Sequence, residues 1–429
     1  MPTFSLPFRP GLNTQVVIDE RNLLYYAAQC EGLASPDPLG AVEDALDQPV
    51  GTPPLADILR RDQSIVIIVD DVTRPTPAAL LIPAILERIA HAGIQDDAIT
   101  FFMALGTHRP MTEAELCAKL GADVLGRYRI VNREYRDGDF VSMGATASGT
   151  PIEMDREILS ADMKIAIGNV VPHIAAGWGG GAKIVLPGVC SQATTDGMHL
   201  MACTLQSVLQ VVGQRDNRAR AEMDAVAERI GLDFIVNTVL NDEGQIVGVF
   251  AGHFVQAHRA AIELAEQVMV VPIPALADIV IVSATPCHVD YWQAIKPYTF
   301  AQLGVREGGV IVFLLDGEER LYGDAPAHAE VMERYLLSPF EDQVCAVDRG
   351  DVQDIAGMNV PMHHAMVRQR AQRTLCVSNH LTSEDIAKLG FEYAPDVQTA
   401  LEHAYRLMGS DATVGVIPYG GETLVRVAE

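Results

Sequence analysis

The sequence predicts an α/β protein made of two α/β domains with mainly parallel sheets and an active-site cleft between them, and three observations carry this. Continuous apolar runs of strand length alternate with helical patterns, as in sheets covered by helices on both faces. Residues able to do chemistry fall in loops that follow strands, the edge where such sheets bind ligands. A proline-rich stretch after a long helix, VPIPALAD at 271–278, separates two such sets and places the domains at 1–271 and 272–429.

Taken in order, TQVVIDE (14–20) reads as an early edge strand, and ALDQPVGTPPLADILRR as a loop leading into a short helix. SIVIIVDD (64–71) is a continuous apolar strand ending in two carboxylates, followed by TRPTP and a helical pattern over 78–92. ITFFMALG is the next strand, GTHRPMT its loop, and TEAELCAKL a helix with Thr112 as cap and Glu115 three residues on. Both loops should open on one edge of a single sheet. IAIGNVV (165–171) is a third buried strand, short, β-branched and ended by Pro172. It runs into GWGGGAK, whose four glycines permit backbone conformations closed to other residues and let a ligand approach the main chain. Residues 218–230 look helical, and FIVNTVLNDEGQIVGVFAG reads as a hairpin turning at 242–244. In the second set IVIVSA, GVIVFLLDG, TLCVSNH and TVGVIPYGG are strands, with helical patterns at 298–304, 325–337 and 395–408.

Composition narrows the function classes. A formal charge of −25 over 429 residues disfavours nucleic-acid and membrane-surface binding, which need a sustained basic face. An anionic ligand must then be caught by a local cluster of Arg and Lys. The seven cysteines are scattered and form no CxxC pair, so reduced thiols are expected and a structural zinc or iron–sulfur site is disfavoured. The N-terminus does not read as a secretory signal, and no apolar run reaches membrane-spanning length. A cytoplasmic location follows as the expectation.

The candidate residues each have a plain structural reading as well. Asp70, Asp71 and Thr73 suit a turn that satisfies backbone N–H groups, whereas Arg74 at a sheet's carboxyl edge is placed to grip a carboxylate or phosphate. His108 and His173 follow separate strands. Two such histidines can face each other across a crevice and serve as acid and base on opposite faces of one carbon. Lys183, enclosed by GGGA and IVLPG, suits an amine nucleophile or covalent anchor, and equally a phosphate contact beside a glycine nest. The spacing does not match GxxxxGK[ST], which argues against a nucleotide triphosphatase. His199 stands alone in TTDGMHLMAC, and Trp292, Gln293 and Lys296 in YWQAIKPYTFA are placed near the start of a helix. The remaining histidines, among them His258, His363 and His364, show no metal-type spacing.

Together DDVTRPTP, GTHRP, VVPHIAAGWGGGAKIVLPGV and YWQAIK resemble the lactate racemase family that depends on a nickel-pincer nucleotide, over nearly the full length. The resemblance implies a racemase or epimerase of a 2-hydroxy carboxylic acid, working by reversible hydride transfer to the nickel form of a pyridinium-3,5-bisthiocarboxylic acid mononucleotide. It implies Lys183 as the covalent attachment point, His199 as the protein ligand to nickel, and His108 and His173 as the acid/base pair. Gly179, Gly180 and Gly181 would contact the cofactor, Asp71 and Thr73 would help to hold the cofactor or the arginine, and Arg74, Trp292, Gln293 and Lys296 would contact the substrate. Cofactor-making enzymes would act upstream. Trp292 stands where tyrosine is expected, so the substrate is set no more finely than a small 2-hydroxy acid. Two other readings stay open: a cofactor-independent or Schiff-base isomerase using Lys183, and a non-enzymatic carrier of an anion or cofactor.

Overall fold

Two six-stranded sheets organise the computed structural model, which describes residues 2–30, 33–203 and 207–428, apart from the side chains of 202 and 203. Each sheet anchors one of two units. The first unit comprises residues 31–202 and 213–268, the second residues 1–30, 203–212 and 269–429. Residues 1–30 therefore belong with the C-terminal part and not with the domain expected to begin at residue 1. The reason is pairing: the strand Leu23–Tyr26 runs parallel to Val414–Ile417, and Asn22 donates from Nδ2 to the carbonyls of Ser410 and Ala412 at 2.8 and 2.9 Å.

In the first unit the sheet order is Ile246–Gly252, Phe234–Leu240, Met163–Asn169, Ile65–Asp70, Ile99–Ala104, Arg129–Val131. Every neighbouring pair is parallel except the hairpin Phe234–Leu240 with Ile246–Gly252. The strand Ile65–Asp70 is apolar on both faces because both are covered. Ile65, Ile67 and Val69 pack with Leu81, Ile82 and Ile85 of the helix Ala78–His91, while Val66 and Ile68 pack with Val185, Leu186 and the helix Arg218–Ile230. From Ile65–Asp70 the chain builds outward in one direction through Ile99–Ala104 and Arg129–Val131, then returns to place Met163–Asn169 on the other side. The order reverses between Ile65–Asp70 and Met163–Asn169, so their carboxyl ends flank a topological switch point, where the loops diverge and leave a crevice.

The second unit's large sheet is wholly parallel, in the order Glu392–Tyr393, Arg373–Val377, Val305–Leu314, Ala277–Ser283, Val414–Ile417, Leu23–Tyr26. Its switch point lies between Ala277–Ser283 and Val414–Ile417. The early strand is Leu12–Val17, paired antiparallel with Thr3–Arg9, and Leu6, Phe8, Val16 and Ile18 pack against Ile279, Ile281, Val310 and Val312. The helix expected over 298–304 instead spans Tyr291–Ala301, capped by Asp290, with Pro297 inside it. The cap lies seven residues before Pro297, and all eleven helical residues are buried.

Candidate functional site

The first unit's switch point gathers the residues singled out after strands. Asp70 and Asp71 end one strand side by side yet do different work. Asp70 faces inward, where Lys119 Nζ approaches Oδ1 to 2.7 Å and Thr76 Oγ1 donates to Oδ2 at 2.5 Å. Burial raises its carboxyl above the usual range against the pull of Lys119. Lys119 also donates to the Arg74 carbonyl at 2.9 Å, so this buried pair ties the turn to the helix Glu113–Leu120.

Asp71 turns toward the next loop. Its Oδ2 lies 2.5 Å from His108 Nδ1, and its Oδ1 accepts from the Thr73 hydroxyl at 2.6 Å and the Thr73 N–H at 3.0 Å. Arg74 Nη1 donates to Thr73 Oγ1 at 2.9 Å, completing a line of contacts from arginine to histidine. Burial alone would raise the Asp71 carboxyl, but His108, Arg74 and Thr73 outweigh it and hold it well below the ordinary carboxylate range. A carboxylate at Nδ1 fixes the tautomer: the neutral form of His108 carries its proton at Nδ1, which leaves Nε2 as the basic nitrogen. Asp71 and Thr73, expected to help hold the cofactor or the arginine, direct these hydrogen bonds to His108 and Arg74.

The adjacent strand Met163–Asn169 leads into the two-stranded turn Pro172–His173 with Gly177–Trp178. His173 Nδ1 accepts the Ala175 N–H at 3.1 Å, so its neutral ring carries the proton at Nε2. The glycines then bend the chain sharply. Gly180 and Gly181 have φ of +72° and +57°, and a Cβ on Gly181 would come within 2.7 Å of the His258 ring. Lys183 sits in the 3-10 turn Gly181–Ile184 that follows. The Gly179 N–H donates to the Val171 carbonyl at 2.7 Å and the Gly181 N–H to Asn237 Oδ1 at 2.8 Å. These two donors are used within the protein, which favours close backbone approach over an anion nest as the use of the glycines. The far end of the segment is joined to the His108 loop, since the Gly106 N–H donates to the Gly188 carbonyl at 3.0 Å.

His199 is buried on the helix Gln192–Cys203, with Nδ1 2.9 Å from the Thr195 carbonyl. The carbonyl fixes the proton at Nδ1 and makes Nε2 the lone-pair nitrogen, the form in which imidazole binds a metal. Among the described residues no group of three or more His, Cys, Asp or Glu could hold a metal ion. A metal here would need most of its donors from a bound organic ligand, and the buried His199 imidazole could supply one protein donor to it. All six described cysteines are free thiols, and no described helix is long and apolar enough to cross a membrane.

Trp292, Gln293 and Lys296 belong to the second unit, on the helix Tyr291–Ala301; Lys296 lies in its second turn, not at its start. Gln293 Nε2 donates to Asp324 Oδ2 at 2.6 Å, and Trp292 stacks on His328 at 4.6 Å, whose Nδ1 is 2.6 Å from Asp354. Sequence reasoning missed Asp324, His328 and Asp354 here, and Arg220, Asn237 and His258 beneath the glycine-rich loop. The one available signal was the positive charge of Arg220 in a helix otherwise read as ordinary.

The chain matches the family model of the lactate racemase N-terminal domain over residues 12–210 and that of the lactate racemase C-terminal domain over residues 273–425. It is 28% identical over 396 residues to a lactate racemase from Thermoanaerobacterium thermosaccharolyticum, covering 90% of each chain. It is also 28% identical over 397 residues to one from Lactiplantibacillus plantarum, again covering 90% of each. Its fold resembles the solved lactate racemase apoprotein from Thermoanaerobacterium thermosaccharolyticum, with a TM-score of 0.88 at 24% identity, covering 99% of this chain and 100% of that one. A Thermotoga maritima protein matches with a TM-score of 0.72 at 19% identity, over 91% and 98% of the two chains.

Proposed function

The chain belongs to the lactate racemase family, and on that premise we propose that it is an isomerase that inverts the carbinol carbon of a small, lactate-like 2-hydroxy acid at the first unit's switch point. The observation that supports the reading is the oriented Asp71–His108 pair, which joins the loops after Ile65–Asp70 and Ile99–Ala104, the first of these strands being the neighbour of the one that leads to His173 and Lys183.

The chemistry sets the requirement. The Cα–H of a 2-hydroxy carboxylate is poorly acidic, because its loss would place a carbanion beside an existing negative charge. Loss of hydride with the hydroxyl proton instead gives a stable planar 2-keto acid, which can regain hydride on either face. When bound, a nickel-pincer nucleotide would supply the hydride acceptor. Lys183 would hold it covalently, His199 Nε2 would ligate its metal, and the backbone at Gly179, Gly180 and Gly181 would allow it to approach closely.

The chain's own groups manage the proton and the carboxylate. His108, with its lone pair at Nε2, takes the hydroxyl proton, and the Asp71 carboxylate stabilises the imidazolium that results. His173 serves the opposite enantiomer. To act as base it exchanges its Ala175 contact for a proton at Nδ1. Arg74, steadied through Thr73, is the cation for the substrate carboxylate.

The test is intact mass and nickel content of protein made with and without the cofactor-making enzymes, followed by a chiral assay of loaded protein on a panel of 2-hydroxy acids. A nucleotide-sized mass on Lys183 and interconversion of at least one acid are expected. A Schiff-base isomerase would racemise without the adduct, and a simple anion carrier would bind no nickel. Loaded protein that interconverts none of the acids would end the reading.

A further inference from the structure

We propose that Arg220 and His258 are positioning residues that set the glycine-rich loop, and through it the amine of Lys183. The inference rests on the reading of Lys183 as a covalent attachment point. Arg220 is 1% exposed; its Nη1 donates to the Gly180 carbonyl at 3.2 Å and its Nη2 to the Trp178 carbonyl. His258 is 0% exposed, and its Nε2 donates to the Gly179 carbonyl at 2.7 Å while Nδ1 accepts from Arg259 Nη1 at 3.0 Å. Three consecutive carbonyls are thus turned inward onto donors from the helices Arg218–Ile230 and Gln256–Met269. The link to Lys183 is direct: its own N–H donates at 3.2 Å to the same Gly180 carbonyl that Arg220 holds.

Packing does not explain this arginine. It lies in the first turn of its helix, where the dipole disfavours a cation, and it makes no ion pair among the described residues. The nearby carboxylates Asp216 and Asp224 are held by Arg259 at 2.9 and 3.0 Å. Burial draws the Arg220 guanidinium down to about 10, which still leaves it charged at neutral pH. A methionine would fill the space without the desolvation of a buried cation. What arginine adds is a planar fork able to hold two carbonyls two residues apart where the chain turns into Gly180 and Gly181 at positive φ. Burial, with the charge of Arg220 next, keeps His258 neutral, the state in which one nitrogen donates to Gly179 and the other accepts from Arg259.

The experiment pairs Arg220→Met and His258→Leu with the conservative Arg220→Lys and His258→Gln, whose amide can replace the Nε2 donor. Amide hydrogen exchange over residues 178–186 is measured in protein without cofactor, with the strand Ile99–Ala104 as internal control. Attachment to Lys183 is followed by intact mass during co-expression with the cofactor-making enzymes. Loss of the buried hydrogen bonds to these carbonyls should speed exchange at 181–183 by about tenfold and lower the attached fraction to a similar degree, with the control strand unchanged. His258→Gln should recover most of both signals and Arg220→Lys a part. Exchange at wild-type rates in the disruptive variants, or attachment at the wild-type level despite faster exchange, overturns the proposal. Should Arg220→Met fail to fold, His258→Leu decides by the same readings. If wild-type protein gains no mass, the tether reading falls on its own, and the exchange measurement still decides whether these residues set the loop.

Discussion

The two switch points share a topology and differ in what they do with polar groups. In the first unit, loops after Ile65–Asp70, Ile99–Ala104 and Met163–Asn169 present Arg74, His108, His173 and Lys183, with buried groups behind them acting as supports. In the second, the strand Ala277–Ser283 leads to the helix Tyr291–Ala301, whose polar groups are turned on one another within a buried network. Asp290 Oδ1 accepts the Gln293 N–H and Oδ2 the Asp324 N–H, both at 2.9 Å, and Gln293 Nε2 donates to Asp324. Burial, with the neighbouring Asp324 charge next, raises the Asp290 carboxyl well above its usual value. A doubly wound sheet can offer a crevice, but the residues at its mouth decide whether it suits the proton chemistry proposed for the first unit or fixes a framework. Substitutions at the first edge should change rate and leave stability; those at the second should change stability.

The largest effect should come from Lys183→Ala. Its loss would remove the proposed covalent attachment, so intact mass should show no added nucleotide and racemisation should fall to background, while the urea midpoint of cofactor-free protein stays near wild type. A retained adduct would move the tether to another residue and break the assignment of the first edge.

Asp71→Asn comes next. The amide keeps the shape but presents a donor or a neutral oxygen to His108 Nδ1, so the imidazolium loses its counter-charge and the tautomer is no longer imposed. Turnover of loaded protein should fall between about a hundred- and ten-thousandfold, with cofactor attachment intact. A turnover within a few-fold of wild type would show that His108 is placed by something other than this carboxylate.

The contrast between the edges also explains what was legible in the sequence. The strand Ile65–Asp70 could be read because its covered faces demand continuous apolar residues, and the cap at Thr112 because both of its partners lie within four positions. Asp71, Thr73, Arg74 and His108 stood out as strand-end polar groups. The supports did not. Arg220 meets Gly180 across 40 positions, Asn237 meets Gly181 across 56 and His258 meets Gly179 across 79, distances at which local pattern carries no information. Asp324 meets Gln293 across 31, and the strand Leu23–Tyr26 finds its partner at the other end of the chain. His363 and His364 were set aside for lack of metal spacing; both are fully buried on the helix Ile355–Arg370.

His364 offers a smaller effect that sharpens the second half of the comparison. Its Nδ1 is 2.5 Å from the Tyr291 hydroxyl, its ring lies among Tyr291, Tyr298 and Phe391, and Arg368 supplies the nearby charge. Burial first, and Arg368 second, pull its pKa down to about 3, whereas in the unfolded chain it titrates near 6.5. Below 6.5 the unfolded state binds a proton that the folded state refuses, so stability falls as pH drops through the window from 6.5 toward 3. From pH 7 to pH 5 this one group should cost about 2 kcal/mol. Urea titrations at both pH values should show His364→Gln losing less on acidification than wild type, by roughly that amount. His258 and His288, lowered chiefly by burial, keep their own share of the slope in both proteins. Equal losses in the two proteins would mean that His364 is not carried neutral into the fold.

The smallest effect separates the two ends of the His108 loop. Beyond His108 the chain passes through Arg109, whose guanidinium pairs with Glu115 at 2.8 and 2.9 Å, and enters the helix Glu113–Leu120 through a capping box. There Thr112 Oγ1 accepts the Glu115 N–H at 3.3 Å and Glu115 Oε2 accepts the Thr112 N–H at 2.7 Å. Arg109, ahead of the capping contacts, holds the Glu115 carboxyl down to about 2, so the box is intact at any pH where the protein is used. Thr112→Ala removes the hydroxyl half of the cap and should cost about 1 kcal/mol, read as a lower urea midpoint. Turnover should stay within about threefold of wild type, since the contact that orients the imidazole is the one to Asp71 and not the helix behind it. If Thr112→Ala instead lost as much turnover as Asp71→Asn, His108 would be held from its helix end, and the reactive edge would depend on packing in the same way as the second unit's.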